Sequence, residues 1–77
     1  MKAKLHGVRK IHIKGEYIKL DALLKFASIA STGGEAKFLI QSGDVFVNGE
    51  PCNMRGKKIK PDDVVRIFNE TLIVKNI

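Results

Sequence analysis

Two groups of residues in this chain have the type and spacing to do chemistry, and in both the chemistry is phosphate binding. The first is Thr32-Gly33-Gly34-Glu35, followed one turn later by Lys37. Thr32 and Glu35 fit the S/T-x-x-E capping box that starts a helix. A helix start exposes unpaired N–H groups and a partial positive charge, which suits an anion. Gly33 and Gly34 fill the first two helical positions, where a missing side chain lets phosphate reach the backbone. A second reading stands beside this one: the glycines let two helices pack closely. The pair costs about 1–2 kcal/mol in helix propensity, so one of the two reasons must offset it.

The second group is Arg55-Gly56-Lys57-Lys58, three positive charges in four residues. A charge run alone marks a solvated face as readily as a site. Phe46, inside Val45-Phe46-Val47, points opposite to its neighbours and either offers a base a stacking surface or is covered by other strands. No enzyme signature is present: no nucleophile elbow, metal-ligand spacing, Walker loop or redox CxxC. Asp62-Asp63 follow Pro61 and read as turn formers. Cys52 is the one cysteine and His6 and His12 lie far from it, so neither a disulfide nor a zinc site is expected.

Seventy-seven residues allow one domain. Such a domain buries only about 60–65% of its unfolded surface, leaving little room for a deep active site. Fourteen Lys and Arg against eight Asp and Glu give a formal charge of +6, which favours a polyanionic partner. No apolar run approaches the ~18 residues of a membrane span, and no apolar stretch follows the basic start to make a secretion signal. A reducing cytoplasm fits the cysteine usage.

These groups need elements to hold them. Residues 1–7 read as a basic tail, and residues 8–77 as the domain. From Val8 to Lys14 the pattern alternates, with Arg9, Ile11 and Ile13 on one side, so a short strand comes first. Leu20, Leu23, Leu24 and Ala27 follow the amphipathic-helix rule. In the second helix Ala36, Leu39 and Ile40 form the buried stripe, and Gly43 ends it in the left-handed conformation. Val45-Phe46-Val47 is a strand, Asn48-Gly49 a hairpin turn, and Glu50 to Asn53 the return, demoted to an edge by Pro51. Val64 to Phe68 and Thr71 to Lys75 are further strands, joined by a turn at Asn69-Glu70. The expected fold is α+β: a strand, two packed helices resembling a helix-turn-helix, then a small, mainly antiparallel sheet.

Residues 20–49 resemble the S-four RNA-binding domain, named after small-subunit ribosomal protein four. The resemblance rests on Lys19-Leu20-Asp21 with Leu24, then Thr32-Gly33, Ala36, Leu39-Ile40, Gly43, Val45 and Val47-Asn48-Gly49. Lys60-Pro61-Asp62-Asp63-Val64 looks like the family's Lys-Pro-Gly-Asp-Val turn, with Asp62 in the glycine's place, and the likeness extends over roughly residues 11–75. One departure stands out: Gly33 replaces the arginine that in the family helps bind RNA. By resemblance, Lys37 and Arg55 to Lys58 supply the lost charge, as in the short, stand-alone bacterial members.

The resemblance implies a non-catalytic, cytoplasmic, monomeric protein that binds structured RNA, ribosomal or tRNA-like, through phosphate and shape. No cofactor, metal, membrane or small-molecule substrate is implied. The expected RNA-facing surface holds Gly33, Gly34, Lys37, Arg55, Lys57 and Lys58, with Lys19, Lys25 and Asn48 at its margin. Only the resemblance ties the two segments together. The alternative is a protein-interaction adaptor that uses the sheet face or the edge near Pro51.

Overall fold

The computed structural model describes residues 7–77. The expected basic tail therefore lies outside the described residues except for Gly7, which opens the first strand. In chain order the elements are β1 (Gly7–Ile13), β2 (Ile18–Lys19), α1 (Leu20–Phe26), α2 (Gly33–Gln41), β3 (Val45–Val47), β4 (Glu50–Pro51), β5 (Lys58–Ile59), β6 (Val64–Ile67) and β7 (Glu70–Asn76).

Five strands form one sheet in the order β1-β7-β6-β3-β4, and β2 pairs with β5 in a separate two-stranded ladder. The β7–β6, β6–β3 and β3–β4 pairs are antiparallel, but β1 runs parallel to β7. The sheet is mainly antiparallel, as expected, with one parallel pair that the sequence did not signal. Parallel neighbours need a long crossover, and here everything from β2 to β6 supplies it.

Strand alternation sorts the residues onto two faces. Ile11, Ile13, Val45, Val47, Val65, Ile67, Leu72 and Val74 point inward and are buried with Leu20, Leu23, Leu24, Ala27, Ala36 and Ile40 of the helical layer. Leu39, expected in the same stripe, is only partly buried. Each fully buried Leu contributes roughly 1.5–3 kcal/mol, so this single layer of contacts carries most of the stability. Arg9 also points inward, and its Nη2 donates to the Ala27 carbonyl at 2.9 Å and pairs with Glu70 at 3.0 Å. It thus caps the carbonyl end of α1 from the sheet.

Local signals in the sequence explain most boundaries. The Glu35 N–H donates to the Thr32 hydroxyl at 3.0 Å, as the capping box requires. The other half of the box differs: the Glu35 carboxylate accepts from the Ser31 N–H at 2.7 Å, not from Thr32. Gly43 stands at φ +92, and the Asn48-Gly49 turn at +51 and +86, both signs right for a two-residue hairpin. Asp62, in the place of the family glycine, is left-handed at φ +77. The turn between β6 and β7 sits at Phe68-Asn69, one residue earlier than expected, with Phe68 at φ +56.

Candidate nucleic-acid interface

Helix α1 starts without a side-chain cap. Its first N–H groups are taken instead by the loop before β5: Leu20 donates to the Lys57 carbonyl at 2.8 Å and Asp21 to the Arg55 carbonyl at 3.0 Å. A helix start leaves such donors unpaired, and the loop satisfies them through its backbone. Just outside, β2 and β5 add the pairs Ile18–Ile59 and Lys19–Lys58. The backbone of the basic loop is in this way fixed to the start of α1.

The Arg55 side chain then bridges the starts of α1 and α2. The Arg55 Nε pairs with Asp21 Oδ2 at 3.0 Å. A Cβ built on Gly33 would lie 3.7 Å from the Arg55 Nη2, so the guanidinium rests beside the first turn of α2. The geometry thus joins the two segments that only the family resemblance connected. An arginine stands beside position 33 after all, delivered from a different element.

The glycines themselves now read differently. A Cβ on Gly33 meets nothing closer than that guanidinium, and one on Gly34 nothing closer than Thr32 Oγ1 at 3.9 Å. Both are ordinary contacts, so neither glycine is required for one helix to pack on the other. Among the described residues the N–H groups of Gly33 and Gly34 have no hydrogen-bond partner. Lys37 is exposed and lies one turn along, on the face of Gly33 and Gly34.

Lys19 and Lys58 are exposed and stand directly opposite each other, an arrangement that costs stability until a counter-charge arrives. The Lys58 ammonium sits 5.0 Å from the centroid of the Tyr17 ring. Lys57 lines a shallow groove of about 490 Å³ with Asn48, Gly56, Lys58, Lys60 and Asp63. Lys25 is exposed in the last turn of α1, one turn beyond Asp21.

Asn48 borders this groove, but its side chain is committed internally. Its Nδ2 donates to Asp63 Oδ1 at 3.1 Å, and its Oδ1 accepts from the Val64 N–H at 2.9 Å. It staples the hairpin turn to the start of β6. Two residues outside the expected site set lie beside it: Lys60, which adds to the charge of the Arg55 run in the sequence but whose facing the sequence leaves open, and Phe38, which the sequence did not mark. Lys60 faces the groove. Phe38 is 70% exposed and lies one turn from Gly34, beside Lys37. The usable signal was its place off the Ala36–Ile40 stripe, where a large apolar side chain has no core to enter.

Residues 11–75 match the family model described as the S4 domain. The chain belongs to the S4 domain family. It is 44% identical over 57 residues to the "Probable ribosome maturation protein RlbA" of Bacillus subtilis, an alignment covering 74% of this chain and 80% of that protein. It is also 39% identical over 49 residues to "Small ribosomal subunit protein uS4" of Hyphomonas neptunium, and 33% identical over 49 residues to that of Novosphingobium aromaticivorans. In each of these two the match covers 64% of this chain but only 24% of the relative, so the S4 domain is the shared part. Among the described residues no cluster of His, Cys, Asp and Glu could hold a metal, and no helix is long and apolar enough to cross a membrane.

Proposed function

We propose that this S4 domain is a non-catalytic module that binds structured RNA by phosphate and shape. The surface runs from the open start of α2 and Lys37 across Arg55 to Lys57, Lys58 and Lys19, with Lys25, Lys60 and the Asn48 turn at its margin. The two helices and their connector act as the helix-turn-helix-like unit that carries it. One observation bears most of the weight: the Arg55 guanidinium lies against Gly33. It makes one positive field of two segments and refills the place of the family arginine. The names of the relatives, a ribosome maturation protein and a ribosomal protein, support ribosomal RNA as the target and a cytoplasmic setting.

Duplex RNA is read through its phosphates, 2′-hydroxyls and shape, and a pair of helices carrying the exposed Lys25 and Lys37 suits that reading. With about five phosphates contacted, the slope of log affinity against log salt is expected near −3.5 to −4.5. The test is the variant Lys37→Gln/Lys57→Gln/Lys58→Gln, set against the parent with a structured ribosomal RNA fragment. Affinity should fall, and the slope should flatten by about one unit per lost phosphate contact. A folded triple variant that binds as the parent does would remove this surface. Retention of cellular partners after ribonuclease treatment would then favour a protein-binding adaptor.

A further inference from the structure

The outer face of the five-stranded sheet, opposite the helices, carries a cleft that the RNA-facing surface does not use. Asp44, Phe46, Arg66, Ile67 and Phe68 line it, enclosing about 200 Å³. The register explains its pattern. Phe46 pairs with Arg66 and Val45 with Ile67. Val45 and Ile67 are buried inward, so Phe46 and Arg66 point outward. Just beyond the end of this ladder, Asp44 and the turn residue Phe68 line the same cleft. The result is two aromatic rings, one guanidinium and one carboxylate on a single patch.

Two features are unexpected for a plain solvated sheet face. Phe68 is 58% exposed and occupies a left-handed turn position at φ +56 that glycine fills far more easily. Such an outlier on a bulky residue points to a use for the side chain. In addition, Asp44 and Arg66 line one cleft, yet among the described residues no ion pair joins them. One Asp44 oxygen accepts from the Ser42 hydroxyl at 2.9 Å, which orients the carboxylate. Opposite charges held apart beside two rings match a ligand that is flat, donates to a carboxylate and carries an anion.

We infer that this cleft holds one unpaired guanine of a single-stranded RNA segment. The base stacks on Phe46 and Phe68, as unpaired bases do on aromatic rings. Asp44 accepts from the N–H groups on the guanine Watson–Crick edge, and Arg66 meets the neighbouring phosphate. Adenine offers an acceptor where guanine offers a donor, so the carboxylate rejects it. A phosphate alone is disfavoured by the same carboxylate, which separates this cleft from the basic surface around Arg55.

The test uses two short oligouridines, one with a central guanosine and one with a central adenosine. Both are titrated into the parent and into the Lys37→Gln/Lys57→Gln/Lys58→Gln variant, whose basic surface is weakened, so the cleft is judged independently of that surface. The guanosine oligomer should bind more tightly in both proteins and should shift the ring resonances of Phe46 and Phe68. Phe68→Gly should keep the fold, since glycine suits that turn, and should lower affinity about tenfold or more. Asp44→Asn should bring the two oligomers to similar affinity. Equal binding of the two by the parent, or undiminished binding by Phe68→Gly, would overturn the assignment.

Discussion

Helix α1 and helix α2 begin within reach of the same arginine but handle their unpaired backbone donors in opposite ways. At α1 the Leu20 and Asp21 N–H groups are bonded to the Lys57 and Arg55 carbonyls. At α2 Thr32 caps Glu35, while the Gly33 and Gly34 N–H groups keep no partner among the described residues. Both starts carry the same partial positive charge. One is consumed in fixing a loop, and the other stays open among the described residues. A small domain gains by this division: the backbone of residues 55–57 caps α1, the Arg55 side chain adds its ion pair to Asp21, and Lys57 and Lys58 stay exposed.

The largest effect should come from the platform on which both starts rest. Leu24 is fully buried between the helices and the sheet, so Leu24→Ala should cost about 2–5 kcal/mol. Leu39 is only partly buried, and Leu39→Ala should cost less, roughly 1–2 kcal/mol. Chemical denaturation of both variants measures the gap. Equal midpoints would mean that α2 packs more deeply than its exposed outer positions indicate.

Arg55 sharpens the comparison because its two functions separate. Its carbonyl caps α1 and survives any side-chain change, whereas its guanidinium pairs with Asp21 and reaches Gly33. The pair is partly exposed, with side chains at 45% and 20%, so it contributes less than ~1 kcal/mol. Arg55→Gln should therefore leave stability nearly unchanged and flatten the salt slope of RNA binding by about one unit. A large loss of stability with no change in slope would make the arginine a structural strut.

How much of this was legible beforehand depends on whether a feature is written in local residue types. The cap at Thr32, the stop at Gly43 and the turn at Asn48-Gly49 each need particular side chains or none, and each stood out. The docking of residues 55–57 on α1 did not, because its bonds are backbone to backbone and join segments distant in sequence. The parallel pairing of β1 with β7 was hidden for the same reason. The turn at Phe68 was misplaced by one residue because the chain puts an aromatic ring where glycine or asparagine is the usual choice. For the site, residue types marked Gly33, Gly34, Lys37 and the Arg55 run, but not which of them touch. Asn48 looked available because its internal partners, Asp63 and Val64, lie in another strand's approach.

The smallest effect is also the most discriminating, because it should have opposite signs in two measurements. Gly34 is helical and exposed, and an added Cβ would meet nothing closer than 3.9 Å. Gly34→Ala should thus stabilise the fold by about 0.5–1 kcal/mol, by restricting the unfolded chain and favouring helix. The same methyl would stand where a phosphate approaches the open N–H groups. Losing one such helix-end contact corresponds to roughly a two- to fivefold drop in RNA affinity. Gly33→Ala serves as the companion, since its methyl would touch the Arg55 guanidinium and move the charge as well as fill the space. A more stable Gly34→Ala protein with unchanged affinity would show that the open start of α2 is not used, and would leave binding to the lysines and Arg55 alone. A less stable one would mean that the helix tolerates only glycine there, for a reason its neighbours do not supply.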